Sequence, residues 1–342
     1  MSAVDTASTP FDARSEGKRG LLGHLASLAR LFVGVLLCLT PLTAVLALGW
    51  LVRMMERETR WASRRLRHAH PESIGSRPHL PNWIALESAG LAPVLTRWFG
   101  ALIANARRGV AAAVTLAAAT LPFTILWLLA WWAGWNNSFN KGYEQAWVGP
   151  TLGLLGVVIA LPLLSRLPMA LAHQAATGHM AAFFAGHDVR QLIRAVGWRY
   201  AGLSLLFVVA ALPLGILKSA PVFVEFWSPG FLERNAAEVE AFADSYQFWA
   251  TTYLLLVLIW LRRASARLYA RATLVVAKRA PQSKPGLLAG LVTMLQSALH
   301  FVIWFGLVAQ VFVTQFLHHQ WVAWLNPPLV ALPWFPPLGT AF

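Results

Sequence analysis

Six uncharged apolar segments alternate with basic connections along this chain, and this alternation limits the possible fold more than any other feature. An α-helix of about 20 apolar residues crosses a bilayer core of ~30 Å. Segments of this kind occupy residues 31–52, 109–135, 148–165, 200–217, 248–261 and 287–313. The sequence therefore predicts an all-α fold: a polytopic transmembrane helix bundle of about six spans, with amphipathic helices at the interface.

The composition excludes an ordinary soluble domain. Apolar residues make up 57% of the chain and charged residues 12%, whereas a typical soluble domain has about 25% charged residues. The net charge of +14 lies in connections that border apolar segments, where contact with anionic lipid headgroups explains it. We therefore expect anionic membrane lipids, and no nucleic acid, as partners.

Charge also orders the connections. Residues 53–108 hold ten Arg and four Glu, residues 166–199 hold four Arg and one Asp, and residues 262–284 hold seven basic and no acidic residues. Residues 218–247 instead hold two basic and five acidic residues. By the positive-inside rule the three basic connections are cytoplasmic, and we expect a multi-pass protein of the cell inner or plasma membrane.

The first apolar segment admits two interpretations. Six full crossings place the N-terminus outside, whereas Lys18, Arg19 and Arg30 favour a cytoplasmic N-terminus. Because Pro41 divides residues 31–52, this segment is alternatively a re-entrant hairpin with both ends cytoplasmic. We favour the full crossing.

Three regions follow from the pattern. Residues 1–20 are predicted to form a disordered tail, and residues 21–313 a single transmembrane helical domain. Residues 314–342 are apolar and rich in Trp and Pro, and are predicted to lie in the outer membrane interface.

Arginines at steps of three and four residues fall on one face of a helix in two cytoplasmic segments. These predicted lipid or partner contacts are Arg53, Arg57, Arg60, Arg64, Arg67, Arg263, Arg267 and Arg271. The last span carries an intramembrane polar stripe of Gln296, His300, Gln310 and Thr314. Hydrogen bonding between helices is the expected role of that stripe.

No catalytic, cofactor-binding or metal-binding motif is present, and we expect no cofactor. The leading hypothesis is a non-enzymatic scaffold or accessory subunit that contacts anionic lipid and a membrane partner. A transporter with a site at the proline-broken spans is the alternative, although no predicted span contains Asp or Glu. The second alternative, a lipid-modifying enzyme, requires Glu87 or Asp188 as its acid.

Short motifs carry a family resemblance. They are Gly-Trp-Leu-Val-Arg ending at Arg53, Leu-Pro-Asn-Trp ending at Trp83, and Pro-Met-Ala-Leu-Ala beginning at Pro168. Over about residues 31–217 the chain resembles an uncharacterised domain-of-unknown-function family of prokaryotic polytopic membrane proteins. The resemblance implies a membrane fold, and it implies no activity or site residue.

Overall fold

The computed structural model describes residues 16–67, 80–81, 94–133, 147–278, 287–316 and 333–335, and within these ranges it is all-helical with no strand. The prediction of an all-α fold is confirmed for this part of the chain. Residues 1–15, 317–332 and 336–342, which include most of both predicted tails, lie outside the described residues. The α-helices in the described ranges are α1 (Glu16–Leu37), α2 (Pro41–Arg67), α3 (Val94–Ala133), α4 (Val148–Leu164), α5 (Leu167–Thr177), α6 (Met180–Phe184), α7 (Gly186–Val196), α8 (Trp198–Ser219), α9 (Val224–Trp227), α10 (Ala236–Lys278) and α11 (Leu287–Phe316).

The first apolar segment is two helices rather than one. Helix α1 ends at Leu37, and α2 begins at Pro41. Proline lacks the N–H that would continue the helical hydrogen bonds but suits the first position of a new helix. The hydroxyl of Thr43 donates a hydrogen bond of 2.6 Å to the carbonyl of Leu37 and so satisfies a group at the end of α1.

Helices α1 and α2 form a hairpin. Arg30 on α1 donates to the carbonyl of Leu80 (2.7 Å), and the indole of Trp50 on α2 donates to the carbonyl of Pro81 (2.6 Å). One short segment therefore contacts both helices at similar distances along the chain from their turn. The N-terminal end of α1 and the C-terminal end of α2 consequently point to the same end of the bundle.

Contacts with α10 give the direction of this helix relative to the α1–α2 hairpin. Near its start, Gln247 donates to the carbonyl of Leu39 in the α1–α2 turn (3.3 Å). Further along, Arg267 donates to Glu58 on α2 (2.7 Å). Helices α2 and α10 therefore run in the same direction, and both carry their arginines to the end opposite the hairpin turn.

Glycines allow the backbones of α2 and α3 to lie in direct contact. A Cβ atom at Gly49 would lie 2.0 Å from the carbonyl oxygen of Asn105, and one at Gly109 would lie 2.0 Å from that of Val45. Small residues are the usual means by which membrane helices approach closely. This contact joins the hairpin to the long helix α3.

Two helical stretches in the described residues are long and apolar enough to cross a membrane, namely Leu102–Ala133 and Trp198–Ser219. Helices α4 and α5, bent by 45° at their junction, add a third as a pair. The predicted count of about six spans is not confirmed by the described residues. Residues 31–52 are interrupted at the hairpin turn, the uncharged stretch of α10 is short, and the apolar stretch Gly290–Gly306 of α11 is also shorter than a span.

Side chains divide between a packed interior and an apolar exterior. Helix α10 lies centrally and packs against α2, α5, α7 and α8. Large apolar side chains are exposed along the outer faces of α3, α4, α8 and α11, including Ile103, Val114, Leu154, Val158, Val209, Ile216, Leu295 and Val302. Soluble proteins rarely expose such extended apolar surface, so these faces are suited to contact with lipid.

Candidate functional site

The arginines predicted on one face of α2 divide into a packed group and an exposed group. Arg53 is buried, and its guanidinium donates a hydrogen bond of 2.9 Å to the side-chain oxygen of Asn105 on α3. Burial, together with the charge of Arg108, lowers the pKa of Arg53 below its usual value. Arg57 is half-buried. These two side chains are thus engaged with protein rather than fully presented to a membrane surface.

Further along α2 the arginines are exposed. Arg60 forms an ion pair with Glu56, which also lies 3.4 Å from Arg108 on α3. Arg64 and Arg67 on the last turns of α2 are exposed. An open pocket of about 280 Å³ is lined by Arg60, Arg64 and Arg67.

The arginines predicted on α10 converge on one carboxylate that the sequence did not single out. Glu58 is 1% exposed, and its two oxygens lie 3.6 Å and 2.7 Å from the Nε atoms of Arg263 and Arg267. Arg271, one turn further, is exposed. In the sequence, Glu58 is notable only as an acidic residue among many arginines. Its partners could not be identified from the sequence, because they lie on a helix about two hundred residues further along the chain.

Beside the buried Arg53, several guanidinium groups at this end of the bundle are more exposed than the two carboxylates of α2. Glu58 is buried, and the side chain of Glu56 is 22% exposed, against 64% for Arg60 and 43% for Arg108. We use the name basic face for five of the exposed arginines. It comprises Arg60, Arg64, Arg67, Arg108 and Arg271.

The polar stripe of α11 faces α8 over the residues whose side chains are described. Gln296 lies against Gly197. A Cβ atom added to Gly197 would be 3.0 Å from the side-chain amide nitrogen of Gln296, and the backbone of Gly197 has a positive φ of 53°. The ring of His300 lies edge-on to Tyr200, with 5.1 Å between ring centroids. Gln310 and Thr314 belong to α11, but their side chains lie outside the described set.

One turn after His300, a hydrogen bond joins α11 to α8. The indole of Trp304 donates to the hydroxyl of Ser204 (3.0 Å), and both residues are buried. The contacts of Gln296, His300 and Trp304 thus advance together along α8 and α11, so the two helices run parallel. Trp304 is not one of the predicted stripe residues, and the hydrogen-bonding role of the stripe itself stays a prediction.

Other candidate residues from the sequence remain apart. Asp188 is exposed on the first turn of α7, and Glu87 lies outside the described residues. Within the described part of the chain, no group of three or more His, Cys, Asp or Glu side chains is placed to hold a metal ion. The arrangement at the basic face offers several cationic donors, which suits binding of anions.

The contacts with lipid or a partner predicted for the arginines stay predictions, as does the family resemblance. Comparison with protein-family models, curated proteins and solved structures finds no match.

Proposed function

We propose that this chain is a non-enzymatic multi-pass protein of the cell inner or plasma membrane, acting as a scaffold or accessory subunit that binds anionic lipid and a membrane partner. Its apolar exposed helices suit burial in a bilayer. The observation that carries the proposal is the basic face, where the carboxylates of α2 are withdrawn into ion pairs and the arginines are exposed. Such a face is attracted to anionic headgroups by about 1 kcal/mol per basic residue near the surface.

The proposed topology puts the basic face in the cytoplasm. The α1–α2 hairpin then enters from the cytoplasmic side and returns to it, while α3, α4, α8, α10 and α11 cross the membrane. The contacts of Leu39 with Gln247 and of Glu58 with Arg267 favour this arrangement. It reconciles the basic residues that precede α1 with the positive-inside rule, and it makes residues 31–52 a hairpin instead of the sixth crossing.

Purification in a mild detergent, followed by mass spectrometry of all retained molecules, tests the proposal. We expect enrichment of anionic over zwitterionic lipids, and a stoichiometric protein partner. Replacing Arg60, Arg64 and Arg67 together by Gln should reduce the lipid enrichment. The matched triple Lys variant, which keeps the charges, should retain it.

Equal lipid recovery from the Gln and Lys variants would contradict a role for the basic face in lipid binding. Absence of any stoichiometric partner would contradict the scaffold role. Folding of each variant is checked by its helical circular dichroism and its unfolding midpoint in detergent.

A transporter is the second candidate, and the bend between α4 and α5 favours it. Pro162 lies just before this bend and lines two cavities, one of which also includes His300. Broken helices of this kind supply binding groups in transporters. Solute flux into reconstituted vesicles that is abolished by His300→Ala, with folding intact, would favour transport over the scaffold.

A further inference from the structure

A cleft with three arginines lies where α4, α7, α8 and α11 meet. It has a volume of about 260 Å³ and is open on one side. Its charged lining consists of Arg166 at the α4–α5 corner and Arg190 and Arg194 on α7. We call it the arginine cleft, and none of its three arginines belongs to the basic face.

No carboxylate in the described part of the chain neutralises the positive charge of the arginine cleft. Among the described residues, none of Arg166, Arg190 and Arg194 forms an ion pair with a carboxylate. Arg166 and Arg190 are close enough for their charges to oppose each other. An anion placed between the guanidinium groups would relieve this repulsion and accept charge-assisted hydrogen bonds.

Polar groups extend the cleft toward α11. Tyr200, Ser297 and His300 contribute to its lining. The Nε2 atom of His300 is buried and has no hydrogen-bond partner among the described residues. The hydroxyl of Tyr200 is already used, because it donates to the carbonyl of Ser165 (2.6 Å).

The remaining walls of the cleft are apolar and continue into a second cavity. Leu161, Phe301 and Trp304 line the cleft itself. An adjoining apolar cavity of about 330 Å³ shares Pro162 and Arg166 with it. Ligand pockets for drug-sized molecules span roughly 300–1,000 Å³, so each cavity suits a headgroup or the start of an acyl chain rather than an entire lipid.

Helix α7 sets the depth of the cleft. It buries Val189, Leu192 and Val196 against the bundle and exposes Arg190 and Arg194 on its opposite side. An amphipathic helix of this type lies in the membrane interface, with its basic side chains at the level of the lipid phosphates. The cleft therefore combines cationic groups at headgroup level with apolar walls that lead toward the bilayer core.

We propose that the arginine cleft binds one anionic phospholipid molecule per chain, with the phosphate between Arg166, Arg190 and Arg194 and the start of an acyl chain on the apolar wall beside Pro162. Because no carboxylate among the residues that the structure describes pairs with these arginines, a headgroup without a cationic amine is favoured. This inference rests on the proposed membrane function but concerns a different surface, and it names the ligand as a single bound lipid rather than a diffuse lipid layer.

Native mass spectrometry of the delipidated protein tests the inference. Phosphatidylglycerol, phosphatidylcholine or inorganic phosphate is titrated in separate arms. We expect one phosphatidylglycerol per chain at saturation, and weaker binding of the other two probes. The double variant Arg190→Gln/Arg194→Gln should bind phosphatidylglycerol about a hundredfold more weakly, because it removes two charge-assisted hydrogen bonds and each corresponds to about a tenfold change.

The matched control is Arg64→Gln/Arg67→Gln, which removes the same charge from the basic face. It should keep the single tightly bound lipid. Equal weakening in both double variants would overturn the proposal, because binding would then follow net charge alone. Inorganic phosphate that binds as tightly as the lipid would overturn the assignment to a lipid.

These outcomes are separable from failure of the proposed function. Loss of lipid enrichment only in the basic-face variants, with no effect of the cleft variants, would reject the cleft and leave the basic face. The reverse pattern would reject the basic face and leave the cleft. Both double variants replace exposed side chains, and their folding is checked by the unfolding midpoint.

Discussion

Replacing a single glycine in the α2–α3 contact by alanine should separate the two helices. At Gly49 the new methyl group would lie 2.0 Å from the backbone oxygen of Asn105, whereas ordinary contacts begin near 3.4 Å. The helices must therefore move apart by about 1.4 Å, the difference between these two distances. No flexible side chain can absorb the clash, because the opposing atom belongs to the backbone.

The magnitude follows from three effects. Overpacking of this kind costs about 2 kcal/mol. The same movement lengthens the 2.9 Å hydrogen bond between Arg53 and Asn105, and losing a hydrogen bond to a charged group costs about 2 kcal/mol more. Alanine's higher helix propensity returns about 1 kcal/mol. Gly49→Ala should therefore lower the free energy of unfolding by about 3 kcal/mol.

The matched control should change the free energy of unfolding in the opposite direction. An alanine at Gly202 on α8 would meet no atom within 4 Å, so Gly202→Ala should stabilise the protein by about 0.5–1 kcal/mol through helix propensity alone. Unfolding by increasing fractions of denaturing detergent in mixed micelles, followed by circular dichroism, measures both. Equal effects of Gly49→Ala and Gly202→Ala would refute the close packing of α2 on α3.

The remaining predictions concern the ion pairs, the hairpin and the α8–α11 contact. Glu58→Gln should lower the free energy of unfolding by about 2 kcal/mol, because it removes the charge that Arg263 and Arg267 share, while the two arginines left behind are partly exposed. With Cys38 replaced by Ser, a cysteine at Ser8 should react with a membrane-impermeant maleimide only from the cytoplasmic side. Trp304→Phe should cost about 1 kcal/mol by removing the hydrogen bond to Ser204.

Each of these three predictions has a control. Glu56→Gln alters a partly exposed carboxylate, so it should cost less than about 1 kcal/mol. Labelling of the Ser8→Cys variant from outside intact cells would restore the six-crossing topology. A Trp304→Phe effect that persists in full on a Ser204→Ala background would show that the hydrogen bond is not its cause.

The extent of prediction from the sequence is clear in α2. The spacing of Arg53, Arg57 and Arg60 predicts a helix with arginines along one face, and α2 is such a helix. Which of these arginines is buried depends on Asn105 of α3, and on the close approach of α2 to α3 that Gly49 and Gly109 allow. The spacing of residues within α2 does not include these contacts with other helices, so it does not predict which arginine is buried.

The break at Pro41 shows a different limit. Proline in an apolar segment is compatible both with a kinked span and with a turn between two helices, and local chemistry does not separate them. The hydrogen bonds of Arg30 and Trp50 do so, because they reach the neighbouring carbonyls of Leu80 and Pro81 from the two sides of the break.

The arginine cleft was beyond sequence reasoning for a similar reason. Arg190 and Arg194 lie one turn apart on α7, but Arg166 and His300 reach them only through the packing of α4 and α11. The residues of such a site have no fixed spacing along the chain.

The parallel arrangement of α8 and α11 has a consequence for the order in which the protein assembles. Trp304 and Ser204 are 100 residues apart in sequence, and the long helix α10 lies between the two helices in the chain. During synthesis the face of α8 that carries Ser204 is therefore complete long before its partner emerges. Contacts of such separation form late and slowly, so α11 joins the bundle after α8 and α10. A chain ending before Leu287 would leave the Ser204 hydroxyl with its own bond to the carbonyl of Tyr200 but without the indole of Trp304.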